Sequence, residues 1–265
     1  MMHFVPFGKP AQDGNCILNA RFIHQYGLKT PFERGIFFDV FVIFVERRRT
    51  DRTKIAAGKI GQGAEDLAVH VKGLELPMHD PRLKQGMGIH YSTHATGADH
   101  CSGAQDTSFA KGSLDGWSAI DVCQPIPSTE LSPRKVRLLY HNSLWKHLNN
   151  HLGFCNFVHY SQKQLLDATE AITGWPMSHW RLMKTAERGV TLARLFNLRE
   201  GLTNADDRLP KRMSIPQRTS NLKDIAVDPV KLGEMQKLYY QMLGWDEQGV
   251  PTRARLVELD IEWAG

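Results

Sequence analysis

Apolar residues recur at helical spacing through the second half of this chain. Between residues 133 and 148 they stand at Val136, Leu138, Leu139 and Leu144, close to the 3.6-residue period of a helix. Three further segments of this kind follow, each marked by a serine or proline at its start or a glycine at its end: residues 162–173, 179–200 and 229–243. Residues 134–265 are therefore predicted to form a helical lobe.

The pattern in residues 55–123 is less regular. Residues 63–71 have short helical or extended character that ends at Gly73, and residues 85–94 predict a helix with Met87, His90, Tyr91 and His94 along one side. Residues 124–133 contain three prolines, which favours a connector over a regular element. The sequence thus predicts a partial first helical lobe at residues 55–123 and a proline-rich connector at 124–133.

Residues 1–54 differ from the rest of the chain. Residues 15–28 predict a helix closed by Gly27, and the β-branched, aromatic run at residues 36–45 predicts a short strand. We interpret residues 1–54 as a divergent amino-terminal segment. The predicted fold class is all-α, mostly helical, with two helical lobes and one short strand near residues 36–45.

Composition and charge narrow the classes of function. The 265 residues are 42% apolar and 23% charged with a net charge of +5, as in ordinary globular proteins. The basic run at residues 47–54 is typical of a solvated face, and no nucleic-acid reading motif occurs. The apolar run at 36–45 contains Asp39 and is too short to cross a bilayer. We expect neither nucleic acid nor membrane as a partner.

The four cysteines, Cys16, Cys101, Cys123 and Cys155, are far apart and form no C-x-x-C pair. This spacing does not match the disulfide framework of a small secreted protein, so reduced thiols and a cytoplasmic location are expected. Taken alone, Cys155 is also typical of a small buried apolar residue.

Two H-x-x-x-H pairs, His90 with His94 and His147 with His151, place two imidazoles on one face of a helix, a spacing that suits zinc. Neither pair contains the glutamate of an H-E-x-x-H motif, and a chain with 12 histidines contains such pairs by chance. A zinc-binding structural helical protein is therefore one hypothesis for this chain.

Four segments carry a resemblance to a known family. In chain order they are residues 70–82 (HVKGLELPMHDPR), 150–157 (NHLGFCNF), 194–201 (RLFNLREG) and 206–210 (DDRLP). In this order they resemble the carboxy-terminal, helical part of the aldehyde:ferredoxin oxidoreductase family. The resemblance extends from about Ile55 to the end of the chain. One branch of this family forms the active-site subunit of a benzoyl-coenzyme A reductase.

The resemblance implies an oxidoreductase that converts an aldehyde to a carboxylic acid. Its cofactors would be tungsten or molybdenum held by a paired pterin, beside a 4Fe-4S cluster. Electrons would pass through the cluster to ferredoxin or another electron-transfer subunit. In such enzymes the redox chemistry belongs to the cofactor, and the protein positions and tunes it.

The resemblance also implies roles for single residues. Cys155 matches a thiolate ligand of the iron–sulfur cluster, and Asn150, Gly153 and Phe154 surround it where the family holds one pterin. Asn150 stands where the family has an acidic residue, which weakens the expected contact with the pterin N–H groups.

Asp80 and Arg82 match the loop that contacts the other pterin. Asp80 precedes a proline and is expected on a loop with its carboxylate free to meet a ligand; an ordinary turn residue is the alternative. His94 and His100 are candidate proton carriers near the substrate channel, with histidines that bind helix-end carbonyls as the alternative.

The number of sulfur ligands limits this interpretation. A 4Fe-4S cluster needs four thiolates or close substitutes, and the family's C-x-x-C-x-x-x-C triplet does not occur in these 265 residues. We therefore predict that the isolated chain does not retain the cluster or the metal–pterin group. It would act as a fragment or a subunit beside a chain that supplies the pterin-binding domain. A non-catalytic remnant or partner module is the alternative.

Overall fold

Helices dominate the computed structural model, which describes residues 52–112, 114–120, 122–158, 160–219 and 222–265. The predicted all-α fold class is confirmed. The α-helices of this part of the chain are α1 (Arg52–Ile60), α2 (Ala64–Leu67), α3 (Gln85–Thr93), α4 (Pro133–His151), α5 (Gln162–Thr173), α6 (His179–Arg199), α7 (Pro229–Met242) and α8 (Arg253–Glu258). Short 3-10 helices lie at Asp106–Phe109, Asp115–Ile120, Asn204–Asp206, Lys211–Ser214 and Glu262–Ala264.

The predicted strand at residues 36–45, the predicted helix at 15–28 and Cys16 lie outside the described residues. Within the described residues, the strands are β1 (His70–Val71) and β2 (Leu74–Glu75), an antiparallel pair in which His70 faces Glu75 and Val71 faces Leu74. In the same part of the chain, no helix has the length and apolar character that crossing a membrane requires.

Side-chain caps set the helix boundaries that the sequence predicted. The Ser161 hydroxyl accepts a hydrogen bond from the Gln164 backbone N–H, and the Gln164 side chain bonds back to the Ser161 N–H, which completes a capping box at the start of α5. The helix ends at Gly174, whose φ of 68° is the left-handed conformation of a helix end. Ser178 caps α6 through the Arg181 N–H.

α4 lies at the centre of the packing and contacts α6, α7 and α3. Leu139, Leu144 and Leu148 of α4 are fully buried in a core cluster that extends from Ile89 to Trp245. This cluster also includes Ile126 and Leu131 of the proposed connector. The division of the chain into two lobes stays a prediction.

A buried ion pair fixes the start of α3, where Lys84 provides no side-chain cap. The Asp106 carboxylate accepts hydrogen bonds from the backbone N–H groups of Gly86 (3.1 Å) and Met87 (3.0 Å). Lys135 of α4 places its Nζ 2.6 Å from the same carboxylate, and both side chains are almost completely buried. Asp106 therefore caps α3 from a distant point of the sequence and ties it to α4.

Replacing Asp106 with alanine should lower the free energy of unfolding by about 3–5 kcal/mol, because Lys135 would stay buried without a partner. Adding Lys135→Met removes the stranded charge and should restore part of the loss. Asp167→Ala, which breaks the exposed pair with Lys163, is the matched control and should change stability by less than about 1 kcal/mol. Urea unfolding measures all three; equal losses in the two alanine variants would contradict this role.

Candidate functional site

A buried carboxylate joins four parts of the fold. Asp207 Oδ1 lies 2.5 Å from Nζ of Lys72, which is in the β1–β2 turn, and Asp207 Oδ2 lies 2.8 Å from the Arg194 guanidinium of α6. The Tyr240 hydroxyl of α7 donates a hydrogen bond to Oδ2. Lys72 Nζ also donates to the backbone carbonyls of Ser92 (2.5 Å) and of His94 (2.9 Å) at the end of α3. This network fixes where α3 ends.

The two H-x-x-x-H pairs face each other across the contact between α3 and α4. Ring centroids are 4.7 Å apart for His90 and His94, 4.9 Å for His94 and His147, and 6.0 Å for His147 and His151. The His94 and His147 rings are stacked, with 12° between their planes. We call these four imidazoles the histidine column.

The column is held in its neutral form. Burial lowers the pKa of His90 to about 4 and the pKa values of His147 and His151 each to about 3, and it brings the pKa of His94 well below 6.5. The Lys72 ammonium further lowers the pKa of His90 and His94, whereas the Asp99 carboxylate raises that of His90 and His147.

Hydrogen bonds assign the tautomer of His94. Ser102 Oγ uses its only proton to donate to Asp99 Oδ2 at 2.5 Å. Ser102 Oγ is therefore the acceptor in its 3.1 Å contact with His94, and His94 Nε2 carries the proton. His94 Nδ1 accepts from the Thr96 hydroxyl at 2.8 Å. His94 is the residue that ends α3, but both ring nitrogens bind side chains and not helix-end carbonyls.

The other column members keep nitrogens available. Among the described residues, His90 Nε2 and His151 Nδ1 are buried without a hydrogen-bond partner. All four imidazoles line a cavity of about 30 Å³ together with Arg194 and Trp245. A space of this size holds a water molecule, which could satisfy the orphaned nitrogens.

Two glycines leave room for the ends of the column. A Cβ at Gly189 of α6 would stand 2.1 Å from His151 Cε1, and a Cβ at Gly103 would stand 2.5 Å from His90 Cδ2. Real Cβ atoms do not approach other heavy atoms this closely, so the backbone passes these rings only because both residues lack a side chain.

The Asp80 carboxylate is not free, contrary to expectation. Arg82 folds back onto it, with Nε 2.9 Å from Oδ1 and an Nη 2.6 Å from Oδ2, and the Arg82 backbone N–H also donates to Oδ1. Burial alone would raise the pKa of Asp80, but these hydrogen bonds outweigh it and lower the pKa. Charge-assisted bidentate pairing is strong. A pterin at this position would therefore contact an Asp80 carboxylate whose charge Arg82 already neutralises.

Cys155 lies exposed on the turn that follows α4. Gly153 takes a φ of 73°, the left-handed conformation that glycine adopts without strain, and the Phe154 N–H bonds to the Asn149 carbonyl. Asn150 Oδ1 accepts a hydrogen bond from Asn156 at 2.6 Å, so the acceptor expected to meet a pterin is already engaged. The exposed thiol does not fit the reading of Cys155 as a buried apolar residue.

The described cysteines do not assemble an iron–sulfur site. In the parts of the chain that the structure describes, Cys101, Cys123 and Cys155 are free thiols, and Cys155 belongs to no convergent group of three metal-ligating side chains. A 4Fe-4S cluster requires four such ligands, so the described residues by themselves do not fit it.

His100 lies apart from the column, in the loop after α3. It is partly exposed, its ring centroid is 5.1 Å from that of His79, and its Nε2 is 3.8 Å from Cys101 Sγ. Asp99 precedes it and accepts a hydrogen bond from the Cys101 backbone N–H at 2.8 Å. The two candidate proton carriers thus occupy different environments, one buried and one accessible.

A larger, polar cavity of about 450 Å³ opens beside the β1–β2 turn and has charged walls of both signs. Lys72, Arg208 and Lys211 contribute basic groups, whereas Asp66 and Asp206 contribute carboxylates. Its volume is in the range of small-molecule sites, and its lining is more polar than most of them.

Comparison with known proteins identifies the family. The family described as aldehyde ferredoxin oxidoreductase, domains 2 & 3, matches residues 51–261 of this chain. The chain belongs to the aldehyde ferredoxin oxidoreductase family. Tungsten-containing aldehyde ferredoxin oxidoreductases from Pyrococcus furiosus and Thermococcus kodakarensis are each 30% identical to it over 203 residues. These alignments cover 75% of this chain and 32% of each relative, so the chain spans about a third of the length of these relatives.

A solved structure shares the fold of this family member. The active site complex BamBC of benzoyl coenzyme A reductase, in complex with 1,5 dienoyl-CoA, aligns with a TM-score of 0.58 at 22% identity. The alignment covers 80% of this chain and 36% of that chain.

Sequence reasoning about this aldehyde ferredoxin oxidoreductase family member missed several residues. Lys72 and Asp106 were not singled out, because their partners lie about 20 or more residues away and no periodic signal joins them. Ser102 was missed because its partners, Asp99 and His94, lie in an irregular loop and at the end of α3. Arg194 and Asp207 lie in two of the segments that carry the family resemblance, and they form a buried ion pair with each other.

Stability should fall as the pH drops below 6.5. The unfolded chain protonates its histidines near that value, whereas the folded column stays neutral until the pH approaches 4 or lower. Each column member therefore removes about 1.4 kcal/mol per pH unit below 6.5, and nothing above it. Urea unfolding between pH 7.5 and 5.0 measures this slope, which should be shallower in His151→Gln. A flat profile above pH 5 would contradict a neutral column.

Gly189→Ala should lower the free energy of unfolding by about 1–3 kcal/mol, because the added carbon displaces the His151 ring. Gly233→Ala in α7 is the matched control, since a Cβ there meets nothing within 4 Å. It should raise stability by about 0.5–1 kcal/mol through helix propensity. Thermal unfolding compares the two variants, and a stabilised Gly189→Ala would show that the column has more room than its geometry indicates.

Proposed function

We propose that this chain forms the helical part of a tungsten oxidoreductase that oxidises an aldehyde to a carboxylic acid and passes the electrons to ferredoxin. The domain that carries most of the cofactor site would come from another part of the polypeptide or from a separate chain. Family membership over residues 51–261 supports the reaction type, and the short span relative to known members supports the shared site.

The exposure of Cys155 carries this proposal. A thiol on an open turn, at the end of a helix anchored in the core, can meet a cluster that is completed by other sulfur ligands. A thiol enclosed by its own chain could not. We propose that Cys155 supplies one of the four thiolates and that three come from outside the described residues.

The neighbouring polar residues would position the pterin. When bound, the metal–pterin group would supply the redox chemistry. Asp80 and Arg82 would present an orientated ion pair to one pterin, and the Gly153–Phe154 turn would approach the other closely. Asn150 would offer a neutral amide already bonded to Asn156, a weaker partner than a carboxylate.

His94 is the better-ordered of the two proposed proton carriers. Its imidazole lies in a continuous hydrogen-bonded series from the Asp99 carboxylate through Ser102 to Thr96. A proton taken up at Nδ1 from the Thr96 side would be matched by release of the Nε2 proton to Ser102, which in turn passes its own hydroxyl proton to the Asp99 carboxylate. His100 is accessible to solvent and would exchange protons directly with it.

One observation favours a second candidate, a non-catalytic partner module. Asp80 is paired with Arg82, and Asn150 with Asn156, so the groups expected to hold the pterin already satisfy one another. In this arrangement these groups need no cofactor to satisfy them, so the chain could act only as a scaffold for a catalytic partner.

Anaerobic coexpression with a chain that supplies the pterin-binding domain and the cysteine triplet tests the proposal. The complex should contain about four iron atoms per cluster together with tungsten, and it should reduce a dye with an aldehyde. Cys155→Ser should abolish most of the iron, whereas Cys123→Ser, which alters another exposed thiol, should retain it. Equal iron in both variants would exclude Cys155 as a ligand, and a complex without tungsten would favour the partner module.

A further inference from the structure

Three consecutive residues in the loop after α3 bring metal-ligating atoms together. The donor atoms of Asp99, His100 and Cys101 all lie within 4.8 Å of one another, and His100 Nε2 is 3.8 Å from Cys101 Sγ. Ligands bound to zinc at 2.0–2.3 Å in tetrahedral geometry stand about 3.3–3.8 Å apart. The His100–Cys101 pair therefore has the spacing that a single ion requires, and the Asp99 oxygen lies within 4.8 Å of both atoms.

The histidine column does not have this property. Within the described residues, Asp99, His100 and Cys101 form the one group in which three such donor atoms converge, and the column imidazoles are absent from it. The rings of His94 and His147 are stacked, as are those of His147 and His151. The zinc site predicted from the H-x-x-x-H pairs stays a prediction, and the neighbouring loop offers a separate set of ligands.

The carboxylate of this trio is held in place by the loop itself. Asp99 Oδ1 accepts the Cys101 backbone N–H at 2.8 Å, and Oδ2 accepts the Ser102 hydroxyl at 2.5 Å. Ser102 is in turn fixed by His94. Supporting hydrogen bonds of this kind orient metal ligands and leave the remaining lone pairs of the carboxylate available.

The local charge also favours a cation. The hydrogen bonds that Asp99 accepts from the Ser102 hydroxyl and the Cys101 backbone N–H stabilise its carboxylate anion. Among the described residues, Asp99 takes part in no ion pair. A partly buried carboxylate without a counter-ion is costly, and a divalent cation would neutralise it.

We propose that Asp99, His100 and Cys101 bind one zinc-type divalent cation. The mixed oxygen, nitrogen and sulfur donors select the class of ion. Thiolate and imidazole suit zinc and cobalt and disfavour magnesium and calcium, which prefer oxygen ligands throughout. All three residues are partly exposed, so an ion can enter from solvent.

The fourth position would be open. His79 is the nearest further ligand type, with its ring 5.1 Å from that of His100, but its Nδ1 contacts the Lys84 ammonium at 3.1 Å. Lys84 is turned towards Gln105, to whose side-chain oxygen it donates at 2.9 Å. Three protein ligands with a solvent molecule in the fourth place is the arrangement of zinc sites that remain accessible.

Binding would release a proton from Cys101. A thiol must lose its proton to become a metal ligand. The ion bonds to the sulfur as the S–H proton leaves to solvent, which conserves atoms and charge. No oxidant or reductant is needed.

The cation site does not depend on the tungsten proposal. It uses no residue assigned to the pterin or to the iron–sulfur cluster. At His100 and Asp99, however, the ion would occupy atoms that the proposed proton transfer uses, so the ligand role and the proton-transfer role exclude each other while the ion is bound. His94 keeps its hydrogen bonds in either case.

Cobalt titration of the purified full-length chain, stripped of metal and kept anaerobic, tests the proposal. Cobalt(II) should bind at one equivalent with a near-ultraviolet sulfur-to-cobalt charge-transfer band, and zinc should displace it. Cys101→Ser should abolish that band, and His100→Gln should weaken binding at least tenfold. Cys123→Ser and His147→Gln should leave both unchanged. Loss of binding in His147→Gln with the band intact in Cys101→Ser would overturn the proposal.

Protection of Cys101 from alkylation by zinc tests the proposal on the unaltered chain, which is needed if Cys101→Ser does not fold. Zinc should slow alkylation of Cys101 at least tenfold, as measured by peptide mass spectrometry, and leave the exposed Cys123 unaffected. Equal alkylation of Cys101 with and without zinc would also overturn the proposal. Neither readout involves iron, tungsten or aldehyde, so failure here is distinguishable from failure of the proposed oxidoreductase.

Discussion

The carboxylate of Asp207 is the interaction on which the arrangement of the site depends. It lies between two buried cations, Lys72 and Arg194, and also accepts the Tyr240 hydroxyl. Each buried cation would be very costly without the Asp207 carboxylate, so the β1–β2 turn, α6 and α7 must meet at this point. Lys72 extends the constraint to the last carbonyls of α3, which fixes His94 and the loop after it. The polar network therefore selects one packing of helices that hydrophobic burial alone would hold loosely.

Two kinds of polar chemistry lie side by side beyond that network. The histidine column is buried and neutral, and its cohesion comes from ring stacking and a few hydrogen bonds. The loop of Asp99, His100 and Cys101 is accessible and carries a negative charge. Ser102 joins them by bonding to both Asp99 and His94. A cation at the loop would thus be coupled electrostatically to His90 and His147, whose pKa values already respond to Asp99.

Local signals in the sequence were sufficient for the longer helices and insufficient for the site. Ser161, Gly174 and Ser178 mark helix ends because capping needs only near neighbours. The six-residue α8 was missed because it is too short to show a period. Spacing placed His90 with His94 and His147 with His151, but only the contact between α3 and α4 decides that the pairs meet. Asp80 was expected to be free because folding back by Arg82 leaves no trace in residue spacing.

Gly103 and Gly189 limit how the histidine column can change during evolution. Every nonsynonymous change at a glycine codon adds at least one carbon atom, and at these two positions that atom collides with an imidazole. No intermediate substitution is available that would shift a ring gradually. A lineage that carries this stack is therefore expected to retain glycine at both positions.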